Sequence, residues 1–484
     1  MHLVYRGLAE TFGQDLCFRV ISSRRPDTIK CPRHIWEWIM PRIITALMLL
    51  ALVFGGASRA CGQDTRAFVG ARIIPIRGKE LRRGVLLVQG SKIVAVGRER
   101  NVEIPADAER IDLSGQTIMP GLICTHSHVG GPAAADASGP IQPGVRVYDS
   151  INVRDSGFKR AVAGGLTTLN IMPGSGHLSS GRTIYVKLRY SDEGPSKIED
   201  LFITDVDGNP LGGLKMANGT NSMSRGTPFP QTRGKSAFLV RQQFIKAREY
   251  QHKIDQAAGD AGKMPPRDLH LETLVEAMRG QRIVHHHTHR HDDIMTVIRL
   301  SREFSFRVVL HHVSEGWRVA DEIAAAGVPC SAILIDSPGG KLEARDLKLE
   351  TGKILEDAGV RVAFHTDDPI TDSRYFFRMA ALAVRAGMSR KAALESLTLA
   401  GAEMLDLDQR IGSLAAGKDA DFIILDGDPL SVYTKVLQTW VEGQRVFDRS
   451  DPQDHLYAVG GYGAGHDQSP YFCCYDQSVQ GKGE

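Results

Sequence analysis

Residues 282–313 read "RIVHHHTHRHDDIMTVIRLSREFSFRVVLHHV". Two short β-like runs, "RIVHHHTH" and "RVVLHHV", flank "DDIMTVIRLSREF", whose apolar period begins at Ile294 and is helical. A strand, a helix and a second strand in this order make one β/α unit, and histidines end both strands. The same alternation extends in both directions. Strand-like runs "LICTHSHV", "LTTLNIM", "IYVKLRY", "GGLKMAN", "VPCSAIL" and "VRVAFHTDD" join the two above. Helical patterns "GWRVADEIAAAG", "RDLKLETGKILEDAG" and "SRKAALESLTLAGAEML" separate several of the later ones. Eight strand candidates with helical connectors predict an α/β fold, a (β/α)8 TIM-like barrel with catalytic groups at the C-terminal ends of its strands.

Outside the barrel the texture changes. "AFVGARIIPI", "RGVLLVQGSKIVAVG" and "ERIDLSGQTIMP" are short β-like runs broken by turn residues, and "DADFIILDGDPL" and "VLQTWVEGQRVFDR" repeat that texture far downstream. Both chain ends are therefore expected to build one small composite β-sandwich around the inserted barrel. The expected boundaries are 1–61 for an N-terminal extension with signal peptide, 62–118 and 405–449 for the two β parts, 119–404 for the barrel, and 450–484 for a flexible tail.

With 42% apolar and 24% charged residues the composition is that of a globular protein. The net charge of +3 is carried by residues 1–42, with seven Lys/Arg and four Asp/Glu, so the folded body has no basic balance for nucleic acid. "IITALMLLALVFGG" follows Arg42 and precedes "ASRACGQD", which reads as a signal peptide, starting at Met1 or Met40, with Ser58 and Ala60 framing cleavage before Cys61. Export to a periplasmic or extracellular space is expected, with no stable membrane span after processing; Cys61 is also a candidate lipid anchor. The seven cysteines, Cys473 and Cys474 among them, have no zinc spacing and no disulfide framework. Any metal must be held by histidine, carboxylate or modified lysine.

Strand parity sorts the candidates. His126 and His128 are two apart, so both imidazoles face the barrel interior, where they suit a borderline metal such as zinc. In the central cluster His285, His287 and His289 share one face and His286 the other; His285 lies deeper, His289 past the strand end, and His287 at the right depth for a ligand. His286 and His291 are expected to do nothing chemical. His311 and His312 point opposite ways, and parity lets only one of them inward without choosing which. Asp292 and Asp293 read as caps of the next helix. Asp367 ends a strand where a carboxylate can bind metal and take a proton from water, while Asp368 or Asp372 caps the helix after that strand.

"PGLICTHSH", histidines ending two neighbouring strands, "HTDDP" and the closing "IGSLAAGKDADFIILDGDPL" resemble the amidohydrolase superfamily of metal-dependent hydrolases, and "AGGLTTLNIMPGSGH", "GLKMANGTN" and "HHVSEGW" resemble its imidazolonepropionase-like branch. The resemblance spans about residues 66–448. It implies His126, His128, His287, His312 and Asp367 as metal ligands, which selects His312 over His311. Lys215 occupies the place of a bridging lysine carboxylated by carbon dioxide, a modification that turns an ammonium without lone pairs into an oxygen ligand; Lys187 is a weaker competitor. One or two divalent ions, zinc foremost, are implied, with Asp367 as proton carrier and His312 as a further catalytic group. His289, Arg290, His177 and Arg233 are candidate substrate contacts, the last two from the loops "PGSGHLSSGRT" and "SRGTPFPQTRGKSAFLVRQQF". The expected activity is hydrolysis of a C–N bond in an amide, cyclic amide or dipeptide. A single-metal deaminase and a non-catalytic metal-binding protein are the alternatives. A small molecule is the expected partner, and a homo-oligomer is compatible with the sequence.

Overall fold

The structure, a computed structural model, describes residues 65–460 apart from 132–135, 137, 191–193, 224–227, 336–341 and 369. The expected signal peptide, Cys61, and the distal tail with Cys473 and Cys474 lie outside the described residues.

The fold is mixed α/β. Near the N-terminal end run β1 (Thr65–Ile73), β2 (Leu81–Gln89), β3 (Lys92–Gly97), β4 (Glu109–Asp112) and β5 (Thr117–Pro120). The middle of the chain supplies β6 (Leu122–Ser127), β7 (Leu166–Ile171), β8 (Ser179–Arg182), β9 (Ile184–Lys187), β10 (Leu214–Ala217), β11 (Val284–Thr288), β12 (Val308–His312), β13 (Cys330–Ala332) and β14 (Val362–Phe364). Then come β15 (Phe422–Leu425), β16 (Val436–Val441) and β17 (Gln444–Asp448). Strands from both ends form one sheet in the order β17-β16-β15-β5-β1-β2-β3, with β4 on β1. β5 and β15 pair antiparallel, bringing the ends together. Phe68, Phe422 and Trp440 fill its core; the Phe68 and Phe422 rings are 4.9 Å apart edge-on, and Phe422 and Trp440 stack at 5.5 Å.

The middle strands form a three-stranded sheet, β6-β7-β9, and a six-stranded one, β14-β13-β12-β11-β10-β8. β6 and β7 are parallel, as are β10 to β14 in turn. β9 runs antiparallel to β7, and β8 antiparallel to β10. The strand expected at "IYVKLRY" is thus present but reversed, and with β8 it bridges the two sheets. The connection from β7 to β9 is only 172–183, and β8 within it is drawn off to pair with β10, which leaves no room for the helix that a parallel crossover of about a dozen residues or more usually carries. At the far edge the Asp367 N–H donates to the His126 carbonyl at 3.0 Å, linking the end of β14 to β6.

Helices fall between the parallel strands, His291–Phe304 between β11 and β12 and Ala320–Ala326 between β12 and β13. Three expectations are corrected. The loop expected around Arg233 becomes a helix at Arg233–Ala257, capped by the Thr232 hydroxyl. The single helix expected over "SRKAALESLTLAGAEML" is two, Arg390–Ser396 and Leu399–Met404, broken at Thr398, whose ψ of −92° is non-helical and whose hydroxyl donates to the Leu394 carbonyl. The tail expected from 450 opens with the helix Pro452–Val459, capped by Asp451. No helix among the described residues is long and apolar enough to cross a membrane.

Candidate metal centre

β6 delivers His126 and His128 to one place, as parity requires. Their Nε2 atoms are 3.3 Å apart, and Asp367 Oδ1 lies 3.1 Å from the first and 3.0 Å from the second. His128 Nδ1 donates to the Met172 carbonyl at 2.7 Å, which fixes the ring with its Nε2 toward Asp367. Lys215 is fully buried, with Nζ 3.1 Å from His126 Nε2 and 3.1 Å from Met172 Sδ.

His287, His289 and His312 gather beside this group. The His312 ring is 4.2 Å from His287 and stacks on His289 at 4.8 Å. His289 Nδ1 is held by Ser314 Oγ at 2.7 Å. Parity allows only one of His311 and His312 inside; the structure brings in both. His312 sits at the strand end with φ +72°, outside the β region, so the alternation fails there. Asp367 also has positive φ, +51°. Two candidate ligands thus occupy sparsely populated backbone conformations, a form of strain that concentrates at functional sites.

His365 is not among the candidates drawn from the sequence, although it stands two residues before Asp367 and shares its direction. Its Nδ1 is tied through Ser331 Oγ, at 2.8 Å, to Thr125 Oγ1, at 2.6 Å from that hydroxyl. Its ring stacks on His126 at 4.8 Å and meets His312 at 4.9 Å. Among the described residues, three groups of donors are capable of holding a cation: His126, His128 and Asp367; His126, His312 and His365; and His287, His289 and His312. They overlap at His126 and His312, so the donors form one continuous patch.

Beneath the patch lies a second polar layer. His285 Nε2 meets Tyr185 Oη at 3.0 Å and His285 Nδ1 meets His311 Nε2 at 3.0 Å. Gly213 makes room for it, since a Cβ there would come within 2.3 Å of the His285 ring. His286 points away, with Nδ1 on the His287 carbonyl at 3.0 Å, and His291 pairs with Glu315 at 2.6 Å.

The remaining candidates are placed differently. Arg290 holds Asp292 in a two-pronged pair at 3.0 and 2.8 Å. Arg233 bridges Asp293 at 2.8 Å and Glu343 at 2.5 Å. Neither aspartate caps the helix: Arg290 occupies the N-cap without a side-chain bond, and both carboxylates lie in the first turn. Asp372 does cap the helical segment after the strand, its side chain accepting from the Arg374 N–H at 2.9 Å, while Asp368 accepts from the Ser373 N–H at 2.9 Å just before it. His177 is buried against Phe229, ring centroids 5.1 Å apart. Lys187 faces away from the histidines into a carboxylate nest, 3.0 Å from Asp421 and 3.2 Å from Glu442, with Asp419 bonded as well.

Burial holds the imidazoles neutral: it drives His126, His311 and His312 well below the ordinary histidine value, His285 and His365 to about 3, and His286 to about 4. Burial pushes Asp367 up, but the His128 hydrogen bond and the neighbouring imidazoles outweigh it and keep Asp367 an anion. Neutral imidazoles around a carboxylate are the protonation states a divalent cation needs. His312 Nε2 and His365 Nε2 are buried without hydrogen-bond partners among the described residues, a cost that ligation at such a patch would remove.

A family model described as the Amidohydrolase family matches residues 211–447. The crystal structure of an amidohydrolase from Thermotoga maritima MSB8 is 32% identical and superposes with a TM-score of 0.73, over 79% of this chain and 100% of that one. Amidohydrolase tasK of Hapsidospora irregularis is 29% identical over 75% of this chain and 40% of its own length. A dihydroorotase of Anaplasma phagocytophilum (strain HZ) is 31% identical over 23% of each chain. The chain thus spans well under half the length of these two curated relatives. The full-length likeness to the Thermotoga amidohydrolase, and the family match over β10 to β17, settle the kinship: the chain belongs to the amidohydrolase superfamily of hydrolases.

Proposed function

We propose that this protein is a metal-dependent hydrolase that cleaves a C–N bond in an amide, cyclic amide or dipeptide. The observation that carries the reading is the overlap of three donor groups at His126 and His312, with Asp367 anionic and the histidines neutral. We read the two middle sheets and their helices as one (β/α)8-like barrel with a reversed third strand, and the sheet of both chain ends as its small composite β domain. The strand order and the Asp367–His126 link support this.

The donor set fits one or two divalent ions, with zinc as first choice because imidazole and carboxylate suit it. His126, His128 and Asp367 would hold one ion, and His287 and His312 a second. Lys215, as its carbamate, would add an oxygen donor; its 3.1 Å approach to His126 Nε2 supports that role and favours the hydrolase over a single-metal deaminase. When bound, such an ion lowers the pKa of a water from about 15.7 toward neutrality and polarises a carbonyl. Asp367 Oδ1 takes the proton of the attacking water and passes it to the departing nitrogen. His289, fixed by Ser314, orients the substrate carbonyl from the other side of His312. His365, anchored through Ser331 and Thr125, holds the His126 ring in place. Export remains part of the proposal on the sequence alone.

The test combines metal analysis of the purified protein with a hydrolysis screen over N-acyl amino acids, dipeptides and lactams. Bound divalent metal and turnover of at least one class are expected, with kcat lowered by about 10²–10⁴-fold in Asp367→Asn. Protein that takes up no divalent metal would overturn the reading; full activity of Asp367→Asn would overturn the proton-carrier role.

A further inference from the structure

His177 stands outside the donor patch and is still costly to leave as it is. The residue is 4% exposed, and among the described residues neither buried ring nitrogen has a partner at full hydrogen-bond geometry, the Asp136 backbone coming only near. A buried imidazole normally satisfies at least one nitrogen, so the native protein keeps such a pair when something else supplies the partners.

Its position says what that is. The 172–178 connection begins at Met172, whose carbonyl fixes His128 and whose sulfur touches Lys215. It ends at Leu178, whose carbonyl accepts from the Ala217 N–H, two residues beyond Lys215. Phe229, from the segment after β10, meets the ring edge-on. Asp136, from the segment after β6, lies close enough for its charge and backbone to favour the imidazolium, but burial outweighs both and lowers the pKa. Connections leaving the same ends of β6, β7 and β10 as the donor patch therefore converge on one neutral imidazole. Arg290 and Arg233, the cations that could have met a substrate carboxylate, are neutralised by Asp292, Asp293 and Glu343.

We propose that His177 is a substrate-binding residue and that it recognises an uncharged amide group beside the scissile C–N bond. A neutral imidazole has one N–H and one lone pair. An amide group offers both an acceptor and a donor, directly or through a water, whereas a carboxylate offers acceptors only and sets an anion against the ring's lone pair. This rests on the hydrolase reading and adds the substrate class to it.

The experiment uses the full metal-loaded chain and two probes with the same acetyl–nitrogen bond, N-acetylglycinamide and N-acetylglycine. Wild type is expected to favour the amide by about 10-fold or more in kcat/KM, because a site built to hydrogen-bond a group discriminates against an analogue that cannot satisfy it. His177→Phe, which keeps a ring and removes both nitrogens, is expected to lose that preference mainly through KM. His177→Asn, which keeps a donor and an acceptor, retains part of it. The metal-free melting temperature of His177→Phe should equal or exceed that of wild type, since two unsatisfied buried atoms are gone. A His177→Phe protein that keeps the wild-type preference, or that melts well below wild type, overturns the assignment. Should neither probe be turned over, their ranking is read from the melting shift each produces; equal shifts in wild type and His177→Phe overturn the assignment. Failure of the hydrolase reading is separate, appearing as ranked shifts with no turnover of any amide in the screen.

Discussion

Lys187 and Lys215 are both wholly buried, and they stand on β9 and β10. Lys187 enters a nest of Asp419, Asp421 and Glu442, and although burial opposes it, those carboxylates raise its pKa. Lys215 has a neutral imidazole and a thioether within 3.1 Å. The first arrangement stabilises the ammonium and ties β9 to the composite sheet. The second sets the lysine beside the candidate ligand His126. Identical burial of the same residue type thus says nothing about role; the charge of the neighbours does. The surroundings differ in the same way. The composite sheet is closed by packed aromatic rings and paired charges, while the histidine patch keeps buried ring nitrogens without hydrogen-bond partners among the described residues.

The sharpest way to break this contrast is to replace each lysine by methionine. Lys187→Met leaves buried carboxylates without their cation and should cost about 3–5 kcal/mol of stability, measured by denaturant unfolding. Lys215→Met should leave metal-free unfolding close to wild type while reducing bound metal per chain. Its hydrolysis should fall about 10²-fold or more, since even outer-shell partners of a metal are worth 10–100-fold. Equal effects of the two substitutions on stability would erase the distinction.

Acid separates the two regions next. His285 and His365, at about 3 when folded against an ordinary 6.5, stabilise the metal-free fold above pH 6.5, and that contribution is lost as pH falls from there toward 3. Burial pushes Glu442 up, but Arg189 and then Lys187 hold it at about 2 against an ordinary 4.5; its contribution is present above 4.5 and lost between 4.5 and 2. The melting temperature of the metal-free protein should therefore decline in two stages, and Lys187→Met should shrink the lower one only. A smaller effect tests the layer beneath the patch. Tyr185→Phe deletes the hydrogen bond to His285 and should cost about 1 kcal/mol, with kcat within a few-fold of wild type. A large loss of activity would place Tyr185 in the chemistry.

Much of the site is legible from spacing alone. His126 and His128 by parity, His287 over His286, and His285 as the deeper residue all come from a period of two along a strand. His365 is equally legible, two residues before Asp367, but the paired carboxylates of "HTDDP" are the louder ligand signal. Parity fails at His312, because a strand's last residue is free to leave the β region. The reversal of β9 is legible in principle from the short connection, 172–183, that follows β7. The ion pairs of Arg290 and Arg233 are not, since Glu343 is 110 positions from Arg233.

The order of hydrophobic and turn residues by itself determined the α/β class, the joining of both chain ends and which strands end in histidine, because these depend on local periodicity. Which lysine faces histidines and which faces carboxylates, and which arginines keep a charge to offer, only the tertiary structure decided. Those outcomes depend on neighbours brought together from distant parts of the chain, whose electrostatic effect falls off within a few ångströms.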